Sequence, residues 1–206
     1  MKIGLLLTPN SYQELERRGH YLGISKTSTV LLHLVLYANE FNDITKDELE
    51  NELEKIEAEN QQLQVEISDF ILLKYENRKM YLLTVRKYLS AYLSHVVSHT
   101  NWKNEKEPVF KGISTTCFSQ GAVNQLMSFK EKTGIPHTAL INYALTLEYS
   151  APSTKYISKE SNRVQQGIQL TKSSYQRVKD LSEQTGYPKN VVLEQQLIKL
   201  LENIVI

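Results

Sequence analysis

Cysteine is almost missing: Cys117 is the single one in 206 residues, so no disulfide framework can form within the chain and no cysteine-based zinc cluster can be built. Long apolar runs are missing too. The opening Met1-Lys2-Ile3-Gly4-Leu5-Leu6-Leu7-Thr8-Pro9 is far too short for a signal peptide or a membrane span, which leaves a cytoplasmic protein without membrane contact as the simplest expectation. No glycine-rich phosphate loop, serine-histidine-acid set or carboxylate pair stands out, so neither a catalytic residue nor a cofactor is expected. His95 and His99 lie four apart, a spacing that can bind metal. No glutamate lies between them and no third ligand is evident, so no metal site is expected. A dominant charge is also lacking, because the formal net charge of +1 does not by itself announce nucleic acid.

The near-neutral total hides an uneven distribution. Acidic residues crowd between Asp43 and Asp69 against only Lys46 and Lys55, and from Lys74 to Lys111 the sign reverses. Hydrophobic residues at 41% and charged residues at 23% suit a soluble globular chain, which turns attention from composition to pattern.

The pattern is an internal repeat. Three segments open alike: Gly4-Leu5-Leu6-Leu7-Thr8, Gly112-Ile113-Ser114-Thr115-Thr116 and Gly167-Ile168-Gln169-Leu170-Thr171. Each is followed by apolar residues at helical spacing: Tyr12, Leu15 and Tyr21-Leu22; Val123, Leu126 and Phe129; Tyr175, Val178 and Leu181. Thr8 and Thr171 stand where an N-cap hydroxyl accepts the first free amide protons of a helix. A second marker comes next, Leu22-Gly23-Ile24-Ser25-Lys26, Thr133-Gly134-Ile135-Pro136-His137 and Thr185-Gly186-Tyr187-Pro188-Lys189. Glycine suits the left-handed residue that ends a helix, and serine or proline suits the start of the next. The threonine-to-glycine interval matches in the first and third copies. The second has three extra residues, which predicts a first helix longer by about one turn.

Strand, helix, glycine turn and helix within about forty residues resemble the ribbon-helix-helix family of DNA-binding proteins. The resemblance implies a mainly α fold with short β-ribbons. Its units would span residues 1–42, 109–150 and 163–206, around a helical, coiled-coil-like segment at 43–104. It also implies a non-enzymatic, sequence-specific binder of double-stranded DNA: a plasmid or mobile-element regulator, a conjugation accessory factor acting at a transfer origin, or a transcriptional repressor. Paired strands would enter the major groove, where a β-ribbon can present alternate side chains to base edges. On that reading Ile3, Leu5, Leu7, Ile113, Thr115, Ile168 and Leu170 face inward. The base-reading set is Lys2, Gly4 and Leu6; Gly112 and Ser114, with Phe110 beside them; and Gln165, Gly167 and Gln169. Gln165 and Gln169 are the best readers, since glutamine can pair bidentately with adenine. Phosphates would meet the start of each second helix, at Ser25, Lys26 and Thr27, at His137 and Thr138, and at Lys189 and Asn190. Ordinary capping would use the same residues without DNA.

The middle segment shows no fourth copy. Leu49, Leu53, Ile56, Asn60, Leu63, Ile67 and Phe70 alternate four and three apart, as in a coiled-coil seam, and a second amphipathic helix is expected over 78–97. There Tyr81, Tyr88 and Tyr92 read as packing residues. The second and third copies are expected to pair strand to strand within the chain. The first lacks a partner, which predicts a homodimer through it and through residues 49–70. A coiled-coil adaptor that binds protein partners is the competing reading.

Overall fold

A computed structural model describes residues 1–76, 78, 80–81, 83–102, 110–149 and 163–204, with only the backbone described at 110–114. The elements are β1 (Lys2–Leu7), α1 (Pro9–Leu22), α2 (Lys26–Leu36), α3 (Lys46–Ala58), β2 (Gln61–Glu66), α4 (Asp69–Leu73) and α5 (Val85–His99). They continue with β3 (Phe110–Ser119), α6 (Gln120–Thr133), α7 (His137–Ala144), β4 (Arg163–Thr171), α8 (Lys172–Thr185) and α9 (Lys189–Asn203). The fold is mainly α, with two-stranded antiparallel ribbons β1·β2 and β3·β4. A strand followed by two helices recurs. The chain divides into two compact modules, the first taking in almost all of residues 1–104 and the second almost all of 105–206.

The punctuation of each unit is local. Thr8 Oγ1 accepts the amide of Ser11 at 3.2 Å, Thr171 Oγ1 that of Ser174 at 3.1 Å, and Ser119 Oγ that of Ala122 at 3.2 Å. Gly23, Gly134 and Gly186 all take the left-handed conformation, at φ 70°, 74° and 72°, where a side chain would be strained. Ser119, not Thr116, therefore caps the second copy. From Thr8, Ser119 and Thr171 the glycine follows at the same distance, fifteen residues on. The three extra residues belong to β3, and the expected longer helix is absent, since α1, α6 and α8 each have 14 residues.

The middle segment holds a fourth unit, β2-α4-α5. Leu63, Val65 and Ile67 alternate, Ser68 Oγ caps Ile71 at 3.4 Å, and Thr84 Oγ1 caps Lys87 at 3.3 Å. Ser68 precedes Thr84 by sixteen residues, against seventeen for Thr8 and Ser25, Ser119 and Pro136, and Thr171 and Pro188. The first helix is cut to the five residues of α4. The left-handed position falls near the same place, on Tyr81 at φ 48°. The expected coiled-coil seam does not exist. α3 ends at Ala58, Asn60 Nδ2 folds back to the Ile56 carbonyl at 2.9 Å, and the chain turns into a strand. Two spacings competed over Leu63–Ile67, and the period of two prevailed because it puts Val65 and Ile67 into the core.

β2 also supplies the partner that β1 was expected to lack. β1 pairs with it antiparallel, Lys2 opposite Glu66 through Leu7 opposite Gln61. The strand edge that motivated a homodimer through the first unit is closed within the chain. β3 and β4 pair with each other antiparallel, as expected, with Ile113 opposite Gln169 and Ser119 opposite Arg163.

Both ribbons share one register. Gly4 stands opposite Gln64, and Thr115 opposite Gly167; each of these four residues lies four before the capping hydroxyl of its unit. Each ribbon thus has a pseudo-twofold axis through that pair. Helices complete the symmetry, the second helix of each unit packing on the strand of the other. Ser90 Oγ on α5 accepts the Leu6 amide at 3.0 Å, Glu194 Oε2 on α9 accepts the Ser119 amide at 3.0 Å, and Asn142 Oδ1 on α7 accepts the Thr171 amide at 3.2 Å. The first core gathers Ile3, Leu5, Leu7, Val65, Leu15, Leu34 and Leu93; Phe118, Ile168, Leu170, Phe129, Leu140 and Leu197 fill the second. Tyr88 and Tyr92 are buried packing residues, Tyr92 donating its hydroxyl to the Tyr37 carbonyl at 2.8 Å.

Candidate nucleic-acid interface

Alternation along each strand sends one set of side chains into the helices and the other outward. On β4, Gln165, Gly167 and Gln169 are exposed while Ile168 and Leu170 are buried, as expected. On β1, Lys2 is exposed, Gly4 and Leu6 are half-buried, and Ile3, Leu5 and Leu7 lie inside. β3 reverses the expectation. Thr115 and Cys117 are exposed, Phe118 is buried, and Ser114 stands opposite the buried Ile168, an inner-face position. The misplaced cap explains the reversal: three is an odd shift along a strand, and an odd shift exchanges the faces. Gly112 lies next to a register shift between Phe110 and Ile113, so the alternation assigns it no face.

The outer face of the second ribbon therefore brings together Thr115 and Cys117 from β3 with Gln165, Gly167 and Gln169 from β4, five residues without charge, and Arg163 stands at the start of the same strand. That of the first holds Lys2, Gly4 and Leu6 beside Glu66, Gln64 and Gln62, all three exposed. A Cβ on Gly4 would stand 2.6 Å from Nε2 of Gln62 and 2.9 Å from Nε2 of Gln64. The glycine is thus the floor on which both amides lie.

The expected phosphate-binding residues differ among themselves. Lys189 and Asn190 begin α9 behind Pro188, which offers no side-chain cap, so the first amides of that helix receive no cap hydroxyl. Lys189 is exposed, and its Nζ lies 5.4 Å from the Tyr175 ring centroid. Asn190 Nδ2 donates to the Cys117 carbonyl at 3.4 Å, which holds the start of α9 beside the ribbon. Arg163 Nη2 meets Glu194 at 2.5 Å at the same end. Across the axis α7 begins behind Pro136, also without a side-chain cap. There His137 turns back, its Nε2 3.1 Å from the Leu126 carbonyl, and burial followed by the Lys130 charge lowers its pKa, which disfavours the charged ring. Thr138 is half-buried.

In the first module Lys26 is engaged, 2.9 Å from Glu16 and over the Tyr12 ring at 3.4 Å. Ser25 Oγ is the acceptor for Ser28 N at 3.1 Å, and Thr27 is half-buried. The unforeseen unit adds Arg86 and Lys87, exposed in the first turn of α5. The modules also differ in charge. Residues 1–104 carry twelve Lys and Arg against fourteen Asp and Glu, and residues 105–206 twelve against nine, so the second module is the more positive of the two.

Sequence reasoning missed Gln62, Gln64 and Glu66, Arg86 and Lys87, and Thr115 and Cys117. The signals were present: the Leu63-Val65-Ile67 alternation running into Ser68, and the fifteen-residue interval that holds in every glycine-bearing copy once Ser119 is taken as the cap. Among the described residues no cluster of three or more His, Cys, Asp or Glu is placed to hold a metal, and no helix is long and apolar enough to cross a membrane. Comparison with protein-family models, curated proteins and solved structures finds no match.

Proposed function

We propose that this chain is a non-enzymatic, sequence-specific DNA-binding protein of the ribbon-helix-helix type, working in the cytoplasm on double-stranded DNA. The observation that carries the reading is the outer face of the second ribbon. Gln165 and Gln169 are exposed on one strand with Gly167 between them, uncharged Thr115 and Cys117 lie alongside, and the start of α9 stands at one end. A ribbon of this width enters the major groove, amides on alternate residues meet base edges, and a helix start with Lys189 meets a phosphate. The more basic composition of residues 105–206 favours this module as the reader. Two ribbons in one chain suit a regulator or accessory factor of a plasmid or other mobile element, a transfer-origin factor among them, better than a short repressor. That part of the proposal rests on the family resemblance alone. The adaptor reading loses the coiled-coil seam, one of the two features it rested on.

Binding to duplex DNA over a range of salt tests the reading. Affinity should fall steeply as salt rises. Lys189→Ala should weaken all duplexes alike and flatten that slope, whereas Gln169→Ala should weaken the preferred site by about 1–3 kcal/mol and leave non-specific binding unchanged. Affinity that is absent, or indifferent to salt, would sink the proposal.

A further inference from the structure

We infer that the second ribbon reads a DNA element with a direction, in which the two adenines met by Gln165 and Gln169 lie on one and the same DNA strand. The inference rests on the DNA-binding reading above and adds to it the symmetry of the target.

A ribbon built from two copies of one strand repeats every outward side chain across its axis, and its DNA site is an inverted repeat for that reason. Here the axis passes through the pair Thr115 and Gly167. Counting from the capping residues Ser119 and Thr171, the counterpart of Gln169 is Cys117, and the counterpart of Gln165 is Ile113. Neither counterpart is an amide. Both glutamines belong to β4, and its partner β3 contributes no exposed amide among its described outward residues, Thr115 and Cys117.

The backbone thus keeps twofold geometry while the reading chemistry is one-sided. The two glutamines are four residues apart on a strand, roughly 13 Å, with the glycine between them clearing the middle. A ribbon lying along the major groove sets each of its strands nearer to one DNA strand. Donor–acceptor pairs from Gln165 and Gln169 then fall on purines of that single strand, where a symmetric ribbon would place one on each. β3 answers with a methyl group on Thr115 and a thiol on Cys117, suited to apolar contact with thymine methyls and not to paired hydrogen bonds.

The flanks repeat the asymmetry. At the Cys117 end, α9 offers exposed Lys189, and Asn190 holds it to the ribbon. At the Gln169 end α7 offers His137, turned away toward Leu126, and the Gln169 carbonyl is held from within by Asn142 Nδ2 at 3.1 Å. One end anchors the backbone more strongly than the other, which adds a second source of direction.

Selection of bound duplexes from a random-sequence pool by the full chain is the test. The enriched element should not be self-complementary and should hold two adenines on the same strand. Gln165→Ala and Gln169→Ala should each lose preference at one of those adenines, by on the order of tenfold, with far-ultraviolet circular dichroism unchanged because both positions are exposed. Two chains on one duplex would give an inverted repeat of that same directional element, which also supports the inference. A single-chain element that is itself self-complementary, or a Gln169→Ala variant that relaxes two symmetry-related positions within that single-chain element, would overturn the inference while DNA binding stands. Failure to enrich any element, without salt-dependent affinity, would overturn the DNA-binding reading itself.

Discussion

Arg18 Nη1 donates to Nε2 of His33 across 2.7 Å, deep in the first module. On the other side of the ring Nδ1 donates to the Thr29 carbonyl at 2.8 Å. Because a guanidinium can only donate, Nε2 must accept, and the imidazole is the neutral tautomer with its proton on Nδ1. Trp102 stacks on the same ring at 5.0 Å between centroids. Arg18 also donates through Nη2 to the Val97 carbonyl at 3.0 Å and through Nη1 to Thr100 Oγ1 at 2.8 Å, so it caps the C-terminal end of α5 and ties α1 to the fourth unit.

This arrangement makes the first module sensitive to acid. Burial, then the Arg18 charge, lowers the His33 pKa from 6.5 to about 3. Between those values the unfolded chain binds a proton that the folded chain refuses. The stability from this group is complete above pH 6.5 and is lost as pH falls toward 3, at up to about 1.4 kcal/mol per pH unit. Urea unfolding at pH 8 and pH 5 should differ by about 2 kcal/mol from this group. His33→Gln, which cannot take up the proton, should be less stable at neutral pH and should flatten the pH dependence. A slope that survives the substitution unchanged would refute the assignment.

Asn142 is fully buried and joins α7 to β4, accepting from the Thr171 amide at 3.2 Å and donating to the Gln169 carbonyl at 3.1 Å. Alanine there leaves both backbone groups buried without that partner, and each orphaned group costs about 1–3 kcal/mol. Asn142→Ala should therefore destabilise the second module by about 3 kcal/mol in denaturant titration. A loss below about 1 kcal/mol would mean that water replaces the amide freely.

Closure of both ribbons inside one chain bears on assembly. β1 is paired by β2 and β3 by β4, so no second chain is needed to cover the edge that made a homodimer the sequence-based expectation. Sedimentation at micromolar concentration should give a monomer of 23.8 kDa. A dimer that dissociates when residues 1–7 are altered would restore the earlier expectation.

Much of this architecture is written in short stretches. The hydroxyls of Thr8 and Thr171, the left-handed Gly23, Gly134 and Gly186, and the alternation in β1 and β4 each act within about twenty residues of chain. Caps, turns and strand faces are local energies, so residue types alone determined them, along with the outward Gln165 and Gln169. Three things were decided only in the folded chain. Which hydroxyl caps α6 depended on where β3 stops, and the difference between Thr116 and Ser119 inverted that strand's face. Whether Leu63 and Ile67 follow a helical or a strand period depended on β1 being there to pair with. Whether the first unit needed a second chain depended on that same pairing. Strand partnership is a long-range choice, settled by which edge buries more apolar surface and leaves fewer amides unpaired, and no window of neighbouring residues contains that comparison.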